Sequence, residues 1–209
     1  MRVSKRGLWI GAAAAAATAA WLFWPSGEGY VANAPPSNPT LVMLGDSMTS
    51  GVGASAGQEL PAQLGRLLGR EVVNRGAPGE TTADALKRLE AIVALRPGTV
   101  VIFLGGNDRL QKRPIAETES DLGRIVERLQ AAGAMVALVG FQGTPWDGYG
   151  SMFKRVARKH GCVLVPDALE GILFSPQMKF DPIHPNDKGY ALIAQRIAKR
   201  LGPHLQAGG

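Results

Sequence analysis

Ser47 stands in Gly45-Asp46-Ser47-Met48-Thr49-Ser50-Gly51, directly after an apolar run. A serine hydroxyl is a weak nucleophile until a base takes its proton, so the first question is which histidine could serve. The chain has three. His160 falls at an expected helix end beside Gly161, where a cation–dipole interaction is the ordinary explanation. His204 lies in the tail after Pro203. His184 lies in Asp181-Pro182-Ile183-His184-Pro185, with an acid three residues before it and a proline on either side. Such an acid holds the imidazole in one tautomer and stabilises the imidazolium formed during attack. Ser47, His184 and Asp181 are therefore the candidate nucleophile, base and orienting acid.

Attack on an acyl carbon develops an oxyanion, which needs preorganised donors. Asn107, in Gly105-Gly106-Asn107-Asp108, offers a side-chain amide. Gly79, in Pro78-Gly79-Glu80-Thr81-Thr82, offers a backbone N–H, and Ser47 its own N–H. Asp46 and Asp108 read as hydrogen-bonding supports rather than reactants. Thr49 and Ser50 read as caps of the turn that follows.

These groups need a scaffold that brings them to one edge. From Thr40 onward, short apolar runs alternate with helical patterns. Strands are expected at Leu41–Leu44, Glu71–Asn74, Thr99–Leu104, Met135–Phe141 and Cys162–Val165. Helices are expected at Leu60–Leu68, Thr82–Leu95, Ser120–Ala132 and Ser151–His160, with a last one starting near Asn186, a good N-cap. Continuous apolar strands alternating with helices predict an α/β domain with a five-stranded parallel sheet covered on both faces. Ligands bind such sheets beyond the carboxyl ends of the strands, where Ser47, Gly79, Asn107 and His184 all fall.

The four blocks Gly-Asp-Ser-Met-Thr-Ser-Gly (45–51), Gly79 in its Gly-Glu-Thr setting, Gly-Gly-Asn-Asp (105–108) and Asp-Pro-Ile-His (181–184) resemble those of SGNH (GDSL-type) hydrolases. They stand in the family's order, and the resemblance spans roughly residues 40–201. It is nearest to the bacterial lysophospholipase/thioesterase I and arylesterase branch. The resemblance implies a three-layer α/β/α, flavodoxin-like fold. It also implies a serine esterase acting on carboxylic esters or thioesters through an acyl-enzyme, with Ser47, Asp181 and His184 as triad. Ser47, Gly79 and Asn107 would form the oxyanion hole. Met48 replaces the family's usual leucine and Glu80 a common aspartate, and neither touches an assigned role. Alternatives are an O-acyl (acetyl) esterase or acyltransferase working on envelope polysaccharide, and a binding module that keeps the motifs without activity. The intact set of triad and oxyanion residues speaks against the last.

Other site classes find less support. Thr49 stands where a G-x-S-x-G elbow needs its second glycine. The glycines of Gly51-Val52-Gly53-Ala54-Ser55-Ala56-Gly57 are spaced one residue too long for a dinucleotide fingerprint, and the second strand ends without a ribose-binding acid. One cysteine and three histidines make no zinc spacing, so neither metal nor cofactor is expected. Cys162, in an apolar run, reads as a packed thiol. The formal charge is +6, of which residues 1–39 carry +2 (Arg2, Lys5 and Arg6 against Glu28), leaving +4 spread without basic runs. A nucleic-acid footprint would be clustered.

At the N-terminus, Arg2, Lys5 and Arg6 precede 18 apolar residues from Gly7 to Trp24. As a helix this run would be about 27 Å long, near a bilayer's hydrocarbon thickness. Basic flanking charge would keep its start in the cytoplasm and send the rest across. Residues 1–24 are thus expected to be a membrane anchor or signal peptide, 25–39, with four prolines, a linker, and 40–203 the hydrolase domain. Ala32-Asn33-Ala34 resembles a signal-peptidase site, but Pro35 after the cut disfavours cleavage. The expected location is the periplasmic side of a bacterial envelope, with the N-terminal segment touching membrane and a small acyl ester or thioester as the other partner.

Overall fold

Five short strands carry the fold, and all pair in parallel. They are β1 (Leu41–Gly45), β2 (Val72–Gly76), β3 (Thr99–Phe103), β4 (Met135–Val139) and β5 (Val163–Val165). The computed structural model describes residues 30–143 and 147–205, and those from Val31 onward form one compact unit. Every residue of β1, β3 and β4 is buried, the outcome expected of apolar strands covered on both faces.

The sheet order is β2-β1-β3-β4-β5. The chain steps outward from β1 to β2, then returns past β1 to lay down β3. Connections therefore diverge between β1 and β3, the kind of switch point where open α/β sheets bind ligands. Gly45 lies level with Gly76 on one side and Phe103 on the other, so the segments leaving β1, β2 and β3 emerge together.

Eight helices flank the sheet among the described residues: α1 (Ser47–Ser50), α2 (Leu60–Leu68), α3 (Thr82–Lys87), α4 (Leu89–Val93), α5 (Gly106–Leu110), α6 (Ile115–Ala131), α7 (Tyr149–His160) and α8 (Asp187–Leu201). One packed group joins α2 to α8 and the other joins α6 to α3 and α7. The expected five-stranded parallel α/β architecture is what the chain adopts.

Some local expectations change. The helix read at Thr82–Leu95 breaks at Arg88, where φ is −110°. There the guanidinium turns back to pair with Glu80 and to donate to the carbonyl of Arg75. The helix expected from Ser120 begins five residues earlier, at Ile115 behind Pro114. Thr49 and Ser50 do not cap a following turn. They belong to α1 itself, and its cap is Asp46, which accepts from the N–H of Met48 at 2.9 Å. The Asn186 N-cap of α8 is present, accepting from Lys188 and Gly189.

Residues 31–39 of the expected linker run along the domain. Ala32 N–H donates to Gly161 O (2.9 Å), and the Asn33 amide donates to Gln130 O and Ala134 O. Among the described residues no helix is long and apolar enough to cross a membrane. The apolar run 7–24 lies outside the described residues.

Candidate active site

His184 is presented by a small hairpin. Phe180 N–H donates to His184 O (2.8 Å), and Lys179 bridges Pro185 in antiparallel fashion. Asp181 turns inside this loop, its Oδ1 accepting from the N–H groups of Ile183 and His184, each at 2.8 Å. Asn186, besides capping α8, donates to Gln177 O and Lys179 O, so the hairpin is fixed at its root. Asp181 Oδ2 lies 2.7 Å from His184 Nδ1, and Nε2 lies 3.0 Å from Ser47 Oγ. Burial works against ionised Asp181, but the His184 hydrogen bond and the two N–H donors outweigh it and hold the carboxyl below the usual range.

Ser47 is placed from the other side. Asp46 and Gly51, the latter left-handed at φ 95°, cap the single turn of α1 and fix the serine just beyond β1. The loop after α1 meets the histidine hairpin at Gly53, where a β-carbon would fall 2.6 Å from Pro185 O and 2.7 Å from Phe180 Cβ. Its φ of +88° also favours glycine. Tyr190 Oη donates to Val52 O (2.7 Å), and Ser55 N–H donates to Asp187 Oδ1 (2.7 Å), tying α8 to the same loop. Of the glycines that raised a dinucleotide reading, Gly51 is thus explained by helix termination and Gly53 by close loop packing.

Asn107 lies in α5, immediately beyond β3. Its Nδ2 donates to Asp46 Oδ2 (3.1 Å) and to Glu80 O (3.0 Å), so both amide hydrogens are engaged. The adjacent Asp108 is fully buried and accepts from Thr82 N–H (2.9 Å) and Thr82 Oγ1 (2.6 Å). Arg113 pairs with Asp108 and, at 2.9 Å, with Asp121. This network locks the starts of α3 and α6 to α5 and with them the position of Asn107.

Gly79 has φ 80° and sits in the turn closed by Glu80 N–H on Ala77 O (3.2 Å). Its own N–H has no acceptor among the described residues, and neither has that of Ser47.

Ser47, His184, Asp46 and Asn107 line one small cleft of about 40 Å³. Met48, Leu104, Leu110, Phe141, Leu169 and Ile183 supply its apolar walls. Gly79 is not among the lining residues. A hydroxyl bonded to imidazole, with the far nitrogen on a carboxylate, can deliver an activated oxygen to a carbonyl bound there. No group of His, Cys, Asp and Glu suited to a metal occurs among the described residues.

Several supports gave no local signal in the sequence. Glu80 is buried, pairs with Arg88 eight residues on, and turns its carbonyl to Asn107. The cleft walls Leu110 and Ile183 are exposed apolar residues recognisable only once the cleft exists. His160 differs from its expected charged role: burial, then Lys159, lower its pKa and favour the neutral ring. His204 sits past α8 in a 3₁₀ turn, away from the cleft lining. Cys162 is packed as expected, its thiol pushed up to about 12 by burial.

The family model described as the GDSL-like Lipase/Acylhydrolase family matches residues 43–192. "Esterase TesA" of Pseudomonas aeruginosa is 35% identical over 80% of this chain and 88% of its own length. "Thioesterase 1/protease 1/lysophospholipase L1" of Escherichia coli K12 is 32% identical over 78% of this chain and 84% of its own. Among solved structures, the crystal structure of TesA matches with a TM-score of 0.75 at 32% identity, covering 80% of this chain and 100% of that one.

Proposed function

The chain belongs to the GDSL-like lipase/acylhydrolase family, and from that premise we propose that it is a serine esterase cleaving carboxylic esters and thioesters through an acyl-enzyme on Ser47. The observation that carries this reading is the hydrogen-bonded chain Ser47–His184–Asp181 opening onto an apolar-walled cleft.

In this mechanism Ser47 Oγ bonds to the acyl carbon while its proton passes to His184 Nε2. Asp181 holds the Nδ1 proton and steadies the imidazolium. The carbonyl π pair moves to oxygen, and the N–H groups of Ser47 and Gly79 with the Asn107 amide stabilise that charge. Collapse breaks the bond to the alcohol or thiol, which leaves with the proton from His184. Water then repeats the sequence on the acyl-enzyme, giving free acid and restoring the serine. The mostly apolar walls and modest volume support small or single-chain acyl groups, and the names esterase and thioesterase among the relatives agree with both leaving-group classes.

The same proposal puts the domain outside the cytoplasm, tethered by residues 1–24. Its support is the basic start before 18 apolar residues. A chain cut after Ala34 would give up the hydrogen bonds of Ala32 and Asn33 to the domain.

A chain-length series of soluble acyl esters and acyl thioesters, run on wild type and Ser47→Ala, tests the reaction. Turnover that disappears in the variant is expected, together with stoichiometric fluorophosphonate labelling of Ser47. Labelling at another residue, or equal turnover in Ser47→Ala, overturns it.

A further inference from the structure

Asp46 precedes the nucleophile, is only 5% exposed, and uses both carboxylate oxygens. Oδ1 caps α1 by accepting from Met48 N–H (2.9 Å), and Oδ2 accepts from Asn107 Nδ2 (3.1 Å). Capping needs only one oxygen, and a serine hydroxyl would do it about as well. A serine would also avoid burying a carboxylate, which is costly without full compensation. The cap therefore accounts for Oδ1 and leaves Oδ2 to be explained.

The explanation lies in the amide it faces. The two ends of an asparagine amide are nearly alike in shape, and their partners decide which end points where. Asn107 nitrogen meets Asp46 Oδ2 and Glu80 O, one ionisable carboxyl and one carbonyl. Against the ionised carboxyl, turning the amide over would set oxygen against oxygen twice. Asp46, Ser47 and Asn107 line the cleft, whereas Glu80 does not. The amide hydrogen on the Asp46 side is thus the one an acyl oxygen on Ser47 could reach.

We infer that Asp46 is a positioning residue of the oxyanion hole, turning the Asn107 nitrogen toward Ser47 and holding its hydrogen until the acyl oxygen takes it over. This rests on the donor role proposed above for Asn107. The Glu80 carbonyl keeps the second hydrogen throughout, so the amide stays oriented during the exchange. The titratable groups around Asp46 are His184 on the hairpin and Glu80, which pairs with Arg88.

The test is a double-mutant cycle on a soluble ester, at the pH of maximal wild-type rate, using Asp46→Ser, Asn107→Ala and the pair. Asp46→Ser keeps a cap for Met48 and removes the acceptor for Asn107. It is expected to lower kcat by about 10- to 100-fold, with KM within about threefold and Ser47 still labelled by a fluorophosphonate. In the Asn107→Ala background the same change should alter kcat by less than about threefold, because the amide it positions is gone. Asp46→Asn, whose own NH₂ would face the Asn107 nitrogen, should lose at least as much and carries the comparison if the serine variant does not fold. A loss that multiplies fully onto Asn107→Ala, a loss confined to KM, or wild-type kcat in Asp46→Ser overturns the inference. Wild-type kcat in Asn107→Ala alone removes the donor role and this inference together. A loss there without one in Asp46→Ser removes only the inference.

Discussion

His184 Nε2 stands 3.0 Å from Ser47 Oγ although 137 residues separate them. Neither residue is held by the other's segment alone. Ser47 depends on the end of β1 and the capped turn α1, His184 on a hairpin closed on itself and rooted in α8. The contact between Gly53 and the hairpin joins these two supports. A side chain at Gly53 should therefore damage activity through geometry, with chemistry otherwise intact.

Asp181 holds His184 twice, through the ring nitrogen and through the loop's own N–H groups. Asp181→Asn should lower kcat by up to about 10⁴-fold, since an amide can present the wrong partner to Nδ1. The variant should still fold, because the Asn carbonyl can accept from Ile183 and His184. Steady-state kinetics beside circular dichroism decides it, and near-wild-type turnover would mean that another acid supports His184.

Asn107→Ala removes the amide proposed above to donate mainly when charge develops on the acyl oxygen. A loss of about 10²–10³ in kcat, with little change in KM, is the expected result. Fluorophosphonate labelling of Ser47 should persist at a reduced rate. If the variant loses melting temperature but keeps its turnover per folded molecule, Asn107 serves only the turn beyond β3.

Arg113 is the one cation on the fully buried carboxylate of Asp108 among the described ion pairs, and it shares Asp121 with Arg124. Arg113→Met should cost about 3–5 kcal/mol, because it leaves buried negative charge without its partner. Chemical denaturation measures this directly. Unchanged stability would mean that the threonine donors alone satisfy Asp108.

Legibility in the sequence followed the range of the interactions. β1, β3 and β4 were readable because each is a continuous apolar run of its own. The start of α6 was not, since Ala116, Glu117 and Thr118 offer no apolar period and only Pro114 marks the beginning. The break at Arg88 depends on partners 8 and 13 residues back, so the pattern across Thr82–Leu95 still looked like one helix. At the site, Ser47, His184 and Asp181 could be picked out as candidates from residue type and company, and the fold brings their side chains together. The engagement of Asn107 by Asp46 and Glu80 was not, because it joins segments 61 and 27 residues apart.

Location has its own test. The full chain expressed in a bacterium should fractionate with membranes after a high-salt wash, with its domain open to protease added outside the cytoplasm. A soluble mature chain beginning at Pro35 would replace the anchor by a cleaved signal. A domain protected in the cytoplasm would remove both.

Asp46 should also leave a mark on stability. Burial, opposed by the Met48 N–H and by His184, pushes its carboxyl from the ordinary 3.8 up to about 6. The folded state then holds this proton more tightly than the unfolded chain does. Its contribution is therefore greatest below pH 4, declines as pH rises from about 4 to 6, and stays lost above that. Asp181 runs the other way: its depressed value contributes stability above the ordinary carboxylate range, lost on acidification. At about 1.4 kcal/mol per tenfold, the displacement at Asp46 is worth about 3 kcal/mol between the two limits. Asp46→Asn removes the titration and adds a pH-independent cost for its altered hydrogen bonds. The stability of the variant minus that of wild type should thus climb by about 2–3 kcal/mol from pH 4 to pH 7, whatever its starting offset. Urea denaturation of both proteins at matched pH values measures that difference. Parallel curves across the range would mean that Asp46 titrates in the fold as it does in the open chain.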